Sequence, residues 1–216
     1  MKKQVFITGG TGYLGKRLIA QLLNLGYEVT ALCRKGSERK VPDVCIKVIG
    51  NPFDAESFQS SIPRGSTYVQ LFGVPHPGPK KKHLFESIDL ASATASVKAA
   101  KDAGCNHFIY VSVAQEPTKI MMDYQLCRAK SERLIDESGM KATILRPWYI
   151  IGPGHYWPLF FLPLFKLLEW LPATANRAKA LRLIYLKQML NALIYAIETP
   201  PSQRIKIIEI SEIRNS

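Results

Sequence analysis

The 216-residue sequence predicts an α/β fold, a doubly wound parallel sheet with a short C-terminal cap. Three observations predict it. Strand-like and helix-like segments alternate through the first two thirds of the chain. The strand cores (VFIT, YVQLF, HFIYVS, ATIL) are mostly apolar, as in strands covered on both faces. The first strand runs straight into a glycine-rich turn that opens a helix. Such alternation implies right-handed crossovers, with helices packed on both sides of one sheet.

Gln4–Thr8 is a β-rich run, and Tyr13–Leu25 carries Leu14, Leu18 and Leu22 on one helical face before Gly26 stops it. Further strands are predicted at Glu28–Arg34, Cys45–Ile49, Tyr68–Gly73, His107–Ser112 and Ala142–Arg146. Helices are predicted between them at Ala55–Ile62, Leu84–Ala103 (stopped by Gly104) and Met121–Ser138 (stopped by Gly139). After Pro147 the pattern changes. Trp148–His155 reads as a Gly/Pro loop, Trp157–Leu171 is nearly all apolar, a helix follows at about Lys187–Glu198, and Ile205–Ile210 is strand-like. This tail is too short for a domain of its own. The expected organisation is one domain over 1–216, with a nucleotide-binding core at 1–147 and a cap with the final helix and strand at 148–216.

Composition narrows the function classes. The chain is 47% apolar and 21% charged, which excludes disordered and fibrous classes. Its net charge of +12 would suit an anionic ligand, but Lys80-Lys81-Lys82 is its one dense basic run and reads as a solvated loop. No nucleic-acid partner is expected. Cys33, Cys45, Cys105 and Cys127 stand far apart, with no CxxC pair or His in ligand spacing. The expectation is therefore no disulfide framework, no metal, and a reducing cytoplasmic setting. No signal-peptide core follows Met1. Trp157–Leu171 is too short to span a bilayer and contains Pro158, Pro163, Lys166 and Glu169. Burial, a homodimer contact and shallow membrane contact are its expected roles, in that order.

Thr8-Gly9-Gly10-Thr11-Gly12-Tyr13-Leu14-Gly15 lies between the first strand and the first helix. In this context a glycine pattern carries chemistry, and the fold is read as Rossmann-like. The backbone must turn tightly and approach a diphosphate, while the helix N-terminus offers free N–H groups and the positive end of its dipole. Gly9, Thr11, Gly12, Tyr13, Leu14 and Gly15 are the expected cofactor contacts. NAD sites usually place an acid at the end of the second strand. Here that strand ends Leu32-Cys33-Arg34-Lys35. Arg34 can pair with a 2′-phosphate, so NADP(H) is favoured over NAD(H).

At this point the chain resembles the short-chain dehydrogenase/reductase superfamily, in particular its atypical NAD(P)H-binding, NmrA-like branch. The resemblance runs from Lys3 to about Pro153. It rests on Gly9-x-x-Gly12-x-x-Gly15, Val48-Ile49-Gly50-Asn51, Tyr110-Val111-Ser112, Ala129-Lys130-Ser131-Glu132 and Thr143-Ile144-Leu145-Arg146-Pro147. It implies that Asn51 lies by the adenine, that Phe72 and Gly73 run beside the dinucleotide, that Lys130 is the ribose lysine and that Pro147 borders the nicotinamide.

Catalytic members of the superfamily use a Tyr, a Lys four residues later and a Ser from the fifth strand. On a helix, positions i and i+4 share a face, so the ammonium can lower the phenol's pKa while holding the ribose. Here Tyr124 is followed at that spacing by Arg128, whereas Lys130 has Leu126 in the tyrosine position. The remaining candidate triad is Ser112, Tyr124 and Arg128. Arg128 can stabilise a tyrosinate but cannot relay a proton. His76 and His155, in loops after predicted strands, are further candidate proton donors. Trp148, Tyr149, Tyr156 and Trp157 could wall a pocket for a flat substrate or anchor the cap.

Two functions follow. One is an NADPH-dependent reductase acting on a small apolar or aromatic carbonyl, quinone or flavin. The other is a non-catalytic NmrA-like nucleotide sensor or assembly factor, whose regulatory partner the sequence does not name. Sugar-nucleotide epimerase or dehydratase chemistry ranks third, because it relies on the Tyr/Lys dyad and a larger second domain.

Overall fold

In the computed structural model, residues 3–116, 118–119, 121–156 and 183–216 are described. Seven parallel strands form the main sheet: β1 (Gln4–Thr8), β2 (Glu28–Cys33), β3 (Ile46–Ile49), β4 (Thr67–Gln70), β5 (His107–Val111), β6 (Ala142–Leu145) and β9 (Ile205–Ile208), in the order 3-2-1-4-5-6-9. A separate parallel pair joins β7 (Tyr149–Ile151) to β8 (Leu183–Tyr185). The order reverses between β1 and β4, which are hydrogen-bonded neighbours. That reversal is the switch point at which an open α/β sheet receives its ligand.

Alternation along the strands builds two cores. Val5, Ile7, Val29, Ala31, Val69, Ile109 and Leu145 face one way, onto Leu18, Ile19 and Leu22 of α1 (Tyr13–Asn24). Met189, Leu190, Leu193 and Ile197 of α5 (Leu186–Glu198) and Ile213 of α6 (Ile210–Arg214) pack into the same core. Phe6, Tyr68, Phe108, Tyr110 and Ile144 face the other way, onto α3 (Ala91–Asp102) and onto Ile135 of α4 (Met122–Glu137). Covered strands with nearly unbroken apolar runs are the pattern the sequence predicted.

Several elements differ from expectation. Ala55–Ile62 is not an α-helix but two 3₁₀ turns, Ala55–Ser57 and Gln59–Ser61. Phe58, at φ −145°, breaks the run to put its ring in the core. The helix expected at Leu84–Ala103 begins with a short α2 (Lys82–Leu84) and a π-helical turn, Phe85–Leu90, before α3. That wide turn carries both Phe85 and Asp89 inward, where they are buried. Part of the stretch read as a Gly/Pro loop, Trp148–His155, is strand β7. The final helix, read as part of a cap over the sheet, is a full layer helix beside α1, and β9 extends the main sheet. Trp157 and the apolar run Trp157–Leu171 lie outside the described residues.

Candidate dinucleotide site

The glycine turn owes its shape to close approaches that exclude side chains. Gly9 has φ +74°, and a Cβ there would lie 2.6 Å from backbone atoms of Leu71 and Phe72 at the end of β4. A Cβ at Gly15 would collide with the Gly9 carbonyl, so helix and turn can pack only through glycine. Gly12 donates its N–H to the Gly9 carbonyl at 2.9 Å and caps α1, whose first bond is Lys16 N–H to Gly12 O at 3.2 Å. A glycine cap has no side chain to occupy the first-turn donors, and that turn holds no acid. The N–H groups of Tyr13, Leu14 and Gly15 therefore have no intrahelical acceptor and lie at the positive end of the dipole. The residues fit a dinucleotide diphosphate.

Gly9, Thr11, Arg34, Gly50, Pro52 and Phe72 line one cavity beside this turn. It joins the ends of β1, β2, β3 and β4, and holds four of the predicted contacts together. Arg34 is exposed, and its guanidinium makes no hydrogen bond or ion pair among the described residues. Its carbonyl accepts from the Ser37 N–H and hydroxyl, which fixes the turn that presents it. Asn51 spends its side-chain oxygen locally, accepting from Phe53 N–H at 3.1 Å. Phe53 meets the cavity-lining Phe72 edge to face at 5.6 Å. Pro147 is buried, and its carbonyl accepts the Ala114 N–H, tying the ends of β5 and β6.

Two predicted side chains point elsewhere. Lys130 sits on the outer surface of α4, where it pairs with Glu86 at 2.5 Å. Tyr124 and Arg128 share the inward face of the helix, and a residue six positions after Tyr124 lies on a different face. Lys130 is not in the cleft, and the ribose-lysine expectation is corrected. Leu126, its would-be tyrosine position, is exposed. Ser112 does not join Tyr124 either. Its hydroxyl donates to Glu132 at 2.5 Å, and Glu132 accepts from Arg146 Nη2 at 2.6 Å and Nε at 3.1 Å. Arg146 also reaches Glu209 at 2.9 Å, so the serine belongs to a network linking β5, α4, β6 and the segment after β9.

Tyr124 and Arg128 do meet. Arg128 Nε donates to the Tyr124 hydroxyl at 3.0 Å, Nη1 to the Tyr110 hydroxyl at 2.8 Å and to the Val111 carbonyl at 3.3 Å, and Nη2 pairs with Asp89 Oδ1 at 2.6 Å. Four of the five N–H directions of a guanidinium are thereby engaged. Burial pushes the Tyr124 phenol up to about 12 even though Arg128 pulls it down. Burial also raises the Asp89 carboxyl against the pull of Arg128. The group lies under the β4 turn: a Cβ on Gly73 would fall 2.6 Å from Asp89 Oδ1 and 2.8 Å from Arg128 Nη2, and Val74 N–H donates to Asp89 at 3.3 Å. This is a buried brace beneath the cleft. Asp89 and Tyr110 were not predicted as part of it. The readable signal for Asp89 was one acid flanked by apolar residues, Ile88-Asp89-Leu90.

His76 and His155 come together, with ring centroids 4.7 Å apart, and His155 also packs on Tyr13 at 4.1 Å. Trp148 is partly buried between two core clusters, whereas Tyr156 is exposed.

A protein-family model described as NAD(P)H-binding matches residues 9–153. The ceramide reductase of Caulobacter vibrioides is 25% identical over 216 residues, covering 97% of this chain and 65% of that protein. The photosystem II assembly factor Ycf39 of Guillardia theta is 24% identical over 150 residues, covering 64% of this chain and 44% of that protein. The chain thus spans between about half and two thirds of the length of these curated relatives. The crystal structure of Thermus thermophilus UDP-glucose 4-epimerase in complex with NAD superposes with a TM-score of 0.71 at 17% identity, covering 95% of this chain and 77% of that one. With the family model running from the glycine turn through β6 to the loop after β7, and with a seven-stranded parallel sheet around it, the chain belongs to the NAD(P)H-binding family of atypical short-chain dehydrogenases/reductases.

Proposed function

We propose that the chain is an NADP(H)-dependent reductase that passes hydride to a small apolar or aromatic carbonyl, quinone or flavin. The observation that carries the NADP(H) reading is Arg34, exposed and with its guanidinium unpaired among the described residues, at the end of β2 where an NAD site would hold an acid. Bound there, the reduced nicotinamide would supply the hydride. The first turn of α1 would hold the diphosphate, Arg34 the 2′-phosphate, and Phe53 and Phe72 the adenine. Trp148 and the 152–155 turn would restrict water at the nicotinamide end. The name ceramide reductase on one relative is in keeping with such chemistry. A quinone or flavin acceptor requires less from a tyrosine acid than a ketone does, which agrees with a Tyr124 held under Arg128.

One set of observations favours a second reading. Ser112 is committed to Glu132, and Tyr124 and Arg128 are committed to each other. A non-catalytic nucleotide sensor or assembly factor needs no triad, and one relative is named an assembly factor. The test is titration with NADPH and NADH by fluorescence, followed by absorbance at 340 nm with quinones, flavins and aldehydes. The reductase reading expects NADPH to bind more tightly and to be oxidised by at least one acceptor. Tight NADPH binding with no turnover on the whole panel would replace it with the second reading.

A further inference from the structure

A column of rings crosses the ligand end of the sheet. Tyr13 opens α1, His155 follows the turn after β7, and His76 lies in the loop after β4. The Tyr13 and His155 centroids are 4.1 Å apart at 34°, and those of His155 and His76 are 4.7 Å apart at 18°. Arg17, one helical turn beyond Tyr13, lies over the Tyr13 ring at 4.2 Å and donates to the Tyr13 carbonyl at 2.8 Å. The column therefore runs from the α1 side to the β4 side of the switch point. The fit is tight, since a Cβ on Gly152 would collide with the Tyr13 hydroxyl. His76 is held at φ +50°, a backbone that disfavours non-glycine residues and that clusters at functional sites.

We propose that His155 and His76 line the diphosphate site beside the first turn of α1, and that His155 takes up a proton when a diphosphate-bearing nucleotide binds. The inference rests on the nucleotide-binding reading and adds two residues to it. The turn Gly9–Gly15 contains no cation, so its backbone donors offset only part of a diphosphate's charge. The groups able to supply the rest from this column are Arg17 and the two imidazoles. Burial, then His76, then Arg17 disfavour the charged form of His155 in the free protein. Tyr156 adds to the electrostatics of Tyr13, and Lys81 holds the Pro75 carbonyl just before His76. Two negative charges held at the N-terminus of α1, beside the column, reverse that balance and favour an imidazolium at His155.

The sign follows from linkage. His155 has the higher pKa in the bound state, so the added affinity is complete below its titration in the free protein and lost as pH rises through its titration in the complex. Within that window the affinity falls at most about tenfold per pH unit for each proton taken up.

The experiment is calorimetric titration of the full chain with NADPH between pH 6 and 9, in buffers of matched pH and different ionisation enthalpy. NADH is run in parallel, because it lacks the 2′-phosphate and removes that group's own titration. The expected result is a buffer-dependent heat equivalent to uptake of up to about one proton. The His76→Gln/His155→Gln double variant should still bind, without the buffer dependence. The single His76→Gln variant, altered at an exposed position, should lose part of it. Nucleotide binding without proton uptake, or uptake unchanged in the variants, overturns the proposal and leaves the nucleotide reading standing. Absence of binding by wild-type protein overturns both.

Discussion

Arg34 and Arg128 are two arginines of one cleft with opposite circumstances. Among the described residues the Arg34 guanidinium has no partner, and that of Arg128 has four. A free guanidinium at the end of β2 gains a charge-assisted pair from a 2′-phosphate, worth about 1.5–3 kcal/mol for bonds to charged groups. Arg34→Asp is accordingly expected to weaken NADPH by about tenfold to a hundredfold and NADH far less, in a fluorescence titration. Equal effects on both nucleotides would remove Arg34 from the 2′-phosphate. Arg128 already spends its donors inside the fold, so its neighbour should matter to stability. Tyr124→Phe leaves a buried Nε–H without an acceptor, a loss of about 1–3 kcal/mol in chemical denaturation. Turnover on a quinone should survive it; lost turnover with undiminished stability would return the hydroxyl to the chemistry. Motif spacing identified Tyr124 and Arg128 as neighbours because i and i+4 coincide on any helix. It misplaced Ser112 and Lys130 because a motif names positions along the chain, while Glu132 and Glu86 decide where those side chains go.

At the scale of elements, the glycine turn was the most legible part of the chain. Its glycines answer to local geometry: a left-handed φ at Gly9 and the packing of α1 against the turn at Gly15. Gly9→Ala meets both strain and collision, because its Cβ would press on the β4 backbone. It is expected to cost several kcal/mol and to abolish nucleotide binding. Gly36→Ala is the matched control. It also has a positive φ, +84°, but nothing within 4 Å of the added Cβ, so it should cost only about 1–2 kcal/mol. Similar losses for both in urea denaturation would mean that strain, not the approach of β4, fixes Gly9. Strands β1, β2, β5 and β6 were readable because both faces are buried, which leaves apolar runs. The π-helical turn and β7 were not. The first depends on drawing Phe85 and Asp89 under the cleft, and the second on pairing with β8 more than thirty residues away. Neither cause is local.

Over the whole molecule, the order 3-2-1-4-5-6-9 follows from alternating elements, but the final layer does not. A right-handed crossover from β6 to β9 would put its helix on the face of α3 and α4. Instead α5 shares the core of α1, so the same face holds both the helix that opens the nucleotide site and the helix that leads into β9. Its apolar stripe told that α5 was buried, not on which side. The opposite end of the sheet carries a different whole-fold constraint. His107 opens β5 fully buried, with Nε2 2.9 Å from Thr143 Oγ1 and Nδ1 without a partner among the described residues. Burial pushes its imidazole down from 6.5 to about 4. The unfolded chain therefore takes up the proton first. His107 places no penalty on the fold above about pH 6.5, and stability is lost progressively as pH falls from there to about 4, up to roughly 3 kcal/mol. His107→Gln can keep a hydrogen bond to Thr143 without titrating. Urea denaturation at pH 7, 5.5 and 4.5 should show the wild-type protein losing stability relative to this variant as the pH falls. Parallel curves would mean that the acid sensitivity of the fold lies with its carboxylates and not with this histidine.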